Sequence, residues 1–295
     1  MELESQLKEL RGKGLGLATI SYDPVETLAA FAQQRNITFP MLSDAGSAAI
    51  KRFGLLNPAV EWAFGPDKDD PAVQAEVRKY VSAVGAREMM AGMAFPGTFI
   101  VDRQGRVQQR FFEDFYVERN TVSNLLIKLG DKTDAAVAGT KVSTAHLDVT
   151  TYPSISEVTP GDRFSVVLEI EPHAKIHVYA PGAKSYRVIA LAIEPNPQVR
   201  TLPVEYPASE SYFFKPLNER VPVFQKPFRL VQELVLEGTQ QAQQSLRGKE
   251  SVTVQGTLQY QACNDTECFN PVSVPLSWTM KLRPLIVQRP VQPKQ

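Results

Sequence analysis

The apolar residues of this chain change their spacing near residue 140, from a mixture of helical and strand periods to plain alternation, and one domain layer cannot satisfy both patterns. Before the change, Leu3, Leu7 and Leu10 recur at helical spacing until Gly12 and Gly14 stop the helix. Gly14 to Tyr22 reads as a buried parallel strand, with Asp23-Pro24 as N-cap and first residue of an amphipathic helix to about Arg35. Thr38 to Leu42 is a short extended piece, and Ser43-Asp44 caps a helix carrying Ala48, Ala49, Ile50 and Phe53 that Gly54 ends. Residues 55–91 loosen into an insertion over one edge, with a helix from Ala72 to Val84. Pro96 to Asp102, the turn Arg103-Gln104-Gly105 and Val107 to Phe112 predict a β-hairpin, and Glu118 to Leu129 a closing helix. Alternating strands and helices predict an α/β domain over residues 1–130.

Residues 131–141 are polar and small, as a linker is, and from 142 to 284 the periodicity is that of strands. Phe164, Val166, Leu168 and Ile170 alternate with Arg163, Ser165 and Glu169, and Val252, Val254, Leu258 and Tyr260 alternate with polar neighbours. Val272, Val274, Leu276, Trp278 and Met280 repeat the pattern, while Pro275 on the outer face predicts an edge position. Each strand is expected to have one core face and one wet face, and such strands between Pro and Gly turns predict an all-β sandwich. Residues 285–295, rich in proline, read as a disordered tail. A length of 295 residues suits two domains, each with its own core.

Charge and hydropathy exclude several functions. Lys plus Arg equals Asp plus Glu at 32 each, without a long run of one sign, so the electrostatic footprint of a nucleic-acid partner is missing. The longest apolar stretches, such as Val188 to Ile193, are too short to span a bilayer, and the opening Met1-Glu2-Leu3-Glu4 lacks the features of a signal peptide. Three histidines, His146, His173 and His177, give no metal-binding cluster of standard spacing, and no cofactor signature is present.

The chemistry is concentrated in Cys263-Asn-Asp-Thr-Glu-Cys268, which holds both cysteines of the chain. Cys263 is in phase with the polar face of its strand, Cys268 begins the next, and Asn264 to Glu267 supply a four-residue turn, so the thiols lie opposite each other on a hairpin. Cross-strand neighbours have Cα atoms about 4.5–5.5 Å apart, within disulfide range. Closing so short a loop restrains the unfolded chain by roughly 2 kcal/mol, a weak staple. An exposed disulfide between residues already held together is of the kind that opens and recloses without unfolding. Redox exchange, a structural staple, and metal-bound or inert thiols are the readings the pair allows. Asp265 and Glu267 disfavour a thiolate, so the pair suits being attacked as a disulfide by a partner's thiolate.

Residues 146–282, through Lys175-Ile-His-Val-Tyr-Ala-Pro-Gly182, Glu205-Tyr-Pro207 and Tyr260-Gln-Ala-Cys-Asn-Asp-Thr-Glu-Cys-Phe-Asn-Pro271, resemble the amino-terminal domain of the thiol:disulfide interchange protein DsbD. The resemblance implies an immunoglobulin-like sandwich in the periplasm, the cytochrome c biogenesis setting of that family, and a disulfide of Cys263 and Cys268 that relays electrons between a membrane donor and acceptor proteins, with Cys268 attacked. It further implies an aromatic cap, for which Phe213 and Phe214 are the candidates against ordinary core packing, and a place for His177 near the pair, against the favoured reading of a buried, hydrogen-bonded structural histidine. Residues 1–130, through Gly14 to Tyr22, Asp23-Pro24, Phe39-Pro-Met-Leu-Ser-Asp44 and Phe95-Pro-Gly-Thr-Phe-Ile-Val-Asp102, resemble a thioredoxin-like redoxin of the peroxiredoxin and thiol-specific antioxidant group. That resemblance implies a cis-proline at Pro96. It departs from the family at its start: redoxins carry their reactive cysteine after a first strand, and this chain begins inside the helix that follows. The expectation is a domain truncated at its amino terminus, with the missing part also holding an export signal; the alternative is a degenerate docking module.

The function expected is therefore a thiol–disulfide oxidoreductase acting with a redoxin or a membrane electron donor, possessing no cofactor and no metal. The competing expectation is a non-catalytic interaction module whose disulfide steadies a loop.

Overall fold

The computed structural model of the chain describes residues 2–81, 87–112, 118–130, 139–214 and 218–283. The expected tail 285–295 and most of the expected linker lie outside those residues. The chain divides into two compact units between Val122 and Ser123.

In the first unit, α1 (Glu2–Gly12) buries Leu7 and Leu10. It is followed by β1 (Thr19–Ser21), α2 (Val25–Arg35), β2 (Met41–Ser43) and α3 (Ala48–Arg52). β1 and β2 pair in parallel, Thr19 opposite Met41 and Ser21 opposite Ser43, the arrangement a helical crossover produces. The strand expected from Gly14 to Tyr22 is realised only at Thr19–Ser21, because the partner that satisfies its backbone is equally short. Pro24, not Asp23, is the N-cap of α2, and the Asp23 carboxylate instead accepts from the Ser21 hydroxyl. Asp44 does serve a helix start: its carboxylate accepts from the backbone N–H of Ala49 and Ile50 at 3.0 and 2.8 Å.

The segment read as an insertion folds into α4 (Ala59–Phe64) and α5 (Pro71–Val81), which with Met93 bury Ala59 and Val60. A 3-10 turn at Glu88–Met90 precedes the hairpin of β3 (Gly97–Val101) and β4 (Val107–Phe112), with Gly97 opposite Phe112. The peptide before Pro96 is trans, which corrects the cis expectation. Phe95 N–H donates to Leu55 O at 2.7 Å and Gly97 enters the ladder, so both neighbours are satisfied in the isomer that proline favours by about 0.5–1 kcal/mol. A two-residue strand, β5 (Arg119–Asn120), ends the unit.

The helix expected to close the first domain, α6 (Val122–Lys128), falls almost wholly in the second unit. Its Ile127 packs with Val167 and Val231. The second unit continues with β6 (Thr140–Ser143), β7 (Leu147–Pro153), β8 (Glu157–Val158), β9 (Asp162–Pro172), β10 (His177–Tyr179) and β11 (Ala190–Ile193). Then come β12 (Val199–Glu205), β13 (Glu210–Phe214), β14 (Glu219–Phe224), β15 (Phe228–Leu236), α7 (Gln240–Leu246), β16 (Ser251–Tyr260), β17 (Ala262–Cys263) and β18 (Val272–Leu282). One sheet runs β12-β15-β9-β7-β6, a second β11-β16-β18-β8 and a third β13-β14-β10-β17.

Period-two side-chain direction makes these sheets share a core. Phe164, Val166, Leu168 and Ile170 of β9 join Val252, Val254, Leu258 and Tyr260 of β16 and Val274, Leu276, Trp278 and Met280 of β18 in one cluster. Trp278 Nε1 donates to Thr151 Oγ1 at 2.8 Å, and that hydroxyl donates to Val167 O at 2.8 Å, so the buried polar atoms are paired. Pro275 lies opposite Thr257 of β16, while β8 joins the other side of β18 only at Lys281 and Leu282, which leaves the proline on an open edge.

The expectation of one wet face fails for β9. Ser165 is fully buried, because α6 covers the outer face of the strand. The Ser165 hydroxyl donates to the Asn124 side chain, which donates to Glu233 at 2.8 Å, and Lys128 pairs with Glu233 at 2.8 Å. Polar residues on that face are thus satisfied by a helix instead of by water.

Candidate functional site

The site lies on the third sheet and follows from strand parity. β16 ends at Tyr260, and the chain joins a different sheet at β17, where Ala262 pairs with Val178 and Cys263 with His177 of β10. Val178, Ala262 and Phe224 point into the main core. Their neighbours along each strand point to the opposite face, where Tyr179, Val221, Val223 and Cys263 form a second cluster against Tyr186 and Tyr212. Cys263 keeps the phase expected of it, but the face it occupies is roofed by aromatic rings, so the residue is 0% exposed instead of wet.

The turn between the cysteines holds itself. Asn264 N–H donates to Glu267 O at 2.9 Å, and the Asn264 side-chain oxygen accepts from the N–H of Thr266 and of Glu267, each at 2.8 Å. Cys263 and Cys268 stand opposite each other as an isolated antiparallel bridge with Cα atoms 4.1 Å apart, and they are joined as a disulfide. Cys268 lies on the exposed side of the turn. One sulfur therefore belongs to a buried residue and its partner to an exposed one.

Tyr179 meets the bond directly, and Tyr186 and Tyr212 pack against the cluster that holds Cys263. Tyr179 Oη is 3.0 Å from Cys263 Sγ and 3.3 Å from Cys268 Sγ; a disulfide sulfur carries no proton, so the tyrosine donates. Tyr186 stacks on Tyr179 with ring centroids 4.0 Å apart and donates its hydroxyl to Glu219. Tyr212 packs at a tilt against His177, ring centroids 4.3 Å apart, and donates to Asp265 at 2.7 Å, which ties the strand β13 to the cysteine turn. Burial, then the neighbouring Tyr186, pushes the Tyr179 phenol well above its ordinary range, so it stays a donor at any physiological pH. The hydrogen bond to Asp265, followed by burial, pushes Tyr212 up to about 12.

His177 lies beside the pair, opposite Cys263 in register. Burial lowers its pKa, with Asp265 opposing, and its Nε2 is buried without a hydrogen-bond partner. Phe213 is 41% exposed with Arg220 over its ring at 5.4 Å, and alternation puts it on the strand face opposite Tyr212. Phe214 is buried and shares the face of Tyr212. Pro96 lies in the first unit. Tyr179 touches both sulfurs, and Tyr186 and Tyr212 pack against the cluster that holds Cys263; sequence reasoning missed all three. The signal was partial: Tyr179 stands two residues after His177 in a motif already singled out.

Among the described residues, no group of three or more His, Cys, Asp or Glu side chains is placed to hold a metal ion, and no helix is long and apolar enough to cross a membrane. The arrangement sets a disulfide between a buried and an exposed cysteine, with the Tyr179 hydroxyl within hydrogen-bond distance of both sulfurs.

Residues 1–110 match the model of the AhpC/TSA family. No curated protein matches the chain. Among solved structures, the N-terminal periplasmic domain of ScsB from Proteus mirabilis is similar at 10% identity and a TM-score of 0.35, covering 49% of this chain and 51% of that one. The chain thus spans about half the length of that relative. The N-terminal domain of DsbD from Neisseria meningitidis, in its reduced form, is similar at 12% identity and a TM-score of 0.27, covering 53% of this chain and 97% of that one. An SrpA adhesin variant from Streptococcus sanguinis matches at 14% identity and a TM-score of 0.23, over 48% and 61% of the two chains.

Proposed function

We propose that the chain is a thiol–disulfide oxidoreductase that relays electrons through the Cys263–Cys268 pair, within a second domain of immunoglobulin-like sandwich type. The observation that carries the reading is the asymmetry of the cystine: Cys263 buried, Cys268 exposed, and both on a hairpin that its own backbone and Asn264 hydrogen bonds close. A partner thiolate attacks Cys268 and Cys263 leaves; the partner's second thiolate then resolves the mixed disulfide, and the resulting Cys263–Cys268 dithiol passes two electrons to the next disulfide. The partner is a thiol–disulfide exchange protein, a redoxin or a membrane-borne donor, and the compartment is extracytoplasmic, where such a pair is found oxidised. The AhpC/TSA match of residues 1–110 supports coupling to antioxidant chemistry, although neither cysteine of the chain lies in that segment. Of the two candidate cap residues, Phe214 is favoured, since it shares the Tyr212 face. Pro96 supports the first domain's hairpin and takes no part in exchange.

Equilibration in glutathione or dithiothreitol buffers with trapping of free thiols tests the proposal. A potential of about −180 to −270 mV is expected of an exchange protein, and a value below about −300 mV would mark a structural bond and refute the reading. The variant with both cysteines changed to serine is expected to lose all exchange activity.

A further inference from the structure

We infer that Tyr179 is a catalytic residue of this site: its hydroxyl donates a hydrogen bond to Cys263 Sγ as that sulfur takes up the electron pair of the breaking disulfide. The inference rests on the exchange reading above and adds to it the group that makes a buried sulfur an acceptable leaving group.

The step balances without any outside redox agent. A donor thiolate forms a bond to Cys268 Sγ, the Cys268–Cys263 bond breaks, and its electron pair stays on Cys263. The donor's second thiolate then attacks the donor sulfur of the mixed disulfide, which frees Cys268 as a thiolate and leaves the donor oxidised by two electrons. The costly moment is the first, because a thiolate on Cys263 would sit at 0% exposure against Val221 and Val223, and burial disfavours the charge.

Tyr179 is placed for that moment. Its Oη is 3.0 Å from Cys263 Sγ and 3.3 Å from Cys268 Sγ, so it follows the leaving sulfur without a change of rotamer. Its proton has one other claimant. Tyr186 is within hydrogen-bond reach of Tyr179, but the Tyr186 hydroxyl donates to Glu219, so Tyr186 can only accept. While the disulfide is intact, three neutral acceptors, the two sulfurs and the Tyr186 oxygen, share the Tyr179 proton; once Cys263 is charged, the thiolate is the stronger acceptor and takes it. The ring is fixed between its stack on Tyr186 and the edge of His177, so the donor does not have to be ordered during the reaction. The phenol remains protonated throughout and acts as a hydrogen-bond donor, not as an acid.

The experiment isolates Cys263 in a Cys268→Ala protein and titrates it by the ultraviolet absorbance of its thiolate. Cys263 is expected to titrate no higher than the ordinary thiol value of about 8.5 despite its burial. Adding Tyr179→Phe should raise it by about one to two pH units, the worth of a hydrogen bond to a charged group. In the intact pair, Tyr179→Phe should slow reduction by dithiothreitol roughly 10- to 100-fold. An unchanged titration and rate would overturn the inference. If Tyr179→Phe does not fold, the Cys268→Ala titration decides alone, and a value well above about 8.5 overturns it. A wild-type pair that exchanges with no partner, beside a titration that still shifts, would sink the exchange reading and leave the hydrogen bond standing. Fast wild-type exchange that Tyr179→Phe does not slow would sink this inference only.

Discussion

Reduction of Cys263–Cys268 should cost the second unit little stability, and the amount can be worked out. The bond closes a loop with a sequence separation of 5. In the chain-entropy description, removing so short a cross-link frees the unfolded chain by about 2 kcal/mol at room temperature. In the folded state the hairpin keeps Asn264 N–H on Glu267 O and Phe269 N–H on Ala262 O, each at 2.9 Å, so nothing in the folded ladder depends on the sulfurs. For a unit the size of Ser123–Leu285, that loss lowers the melting temperature by about 4–8 °C. The same quantity appears as a potential: the folded pair should be about 45 mV harder to reduce than the same pair in the unfolded chain. Scanning calorimetry of oxidised and dithiothreitol-reduced protein measures the first, and thiol trapping with and without denaturant the second. A fall of more than about 15 °C on reduction, equivalent to roughly 4 kcal/mol or more, would show that the bond holds part of the fold in place and would refute the argument.

Other perturbations separate the site from its support. Lys128→Met leaves Glu233 buried without its cation and should destabilise the second unit by about 3–5 kcal/mol in a urea titration, with Glu233→Leu restoring much of it in the double variant. His177→Phe should flatten the pH dependence of stability on the acid side. Burial holds the folded imidazole below its ordinary value, so the unfolded chain takes the proton first. Stability is then full above about pH 6.5 and is lost as the pH falls from there toward the folded value. Melting temperatures from pH 7.5 to 5 check this, and a residual slope is expected from His146, which burial lowers in the same direction. Gly256→Ala should cost about 1–3 kcal/mol, since its Cβ would come within 2.9 Å of Ala192 O and 3.2 Å of Trp278; chemical denaturation reads the loss.

What the sequence disclosed was what is local. The cysteines are close in sequence, so their hairpin pairing followed from turn chemistry, and the alternation of β16 and β18 named the core residues of both strands. Tyr179 and Cys263 are 84 residues apart, and their meeting depends on β10 pairing with β17, which no periodicity announces. α6 shows the same limit from the other side. Its spacing revealed an apolar face, but not that Val167 and Val231 would cover it, and so neither its unit nor the burial of Ser165 could be read in advance. Pro96 was inferred from a resemblance and not from its neighbours, whose hydrogen bonds are met by the trans peptide.

The unequal exposure of the two cysteines is a consequence of topology. Because the chain leaves one sheet at Tyr260 and enters another at Ala262, the phase that would have put Cys263 in water puts it beneath Tyr179, Tyr186 and Tyr212 instead. The turn from Asn264 to Glu267 then returns the chain on the outer side and leaves Cys268 exposed. An attacking thiolate is thereby offered one sulfur, and the charge it displaces arrives at the other, where a phenol already donates. Tyr186 and Tyr212 each give their proton to a carboxylate, Glu219 and Asp265, and cannot also give it to sulfur. The division of labour among three neighbouring phenols therefore comes from their acceptors. Moving the acidic partner, as in Glu219→Gln, should alter the exchange rate through Tyr179 without touching the disulfide itself.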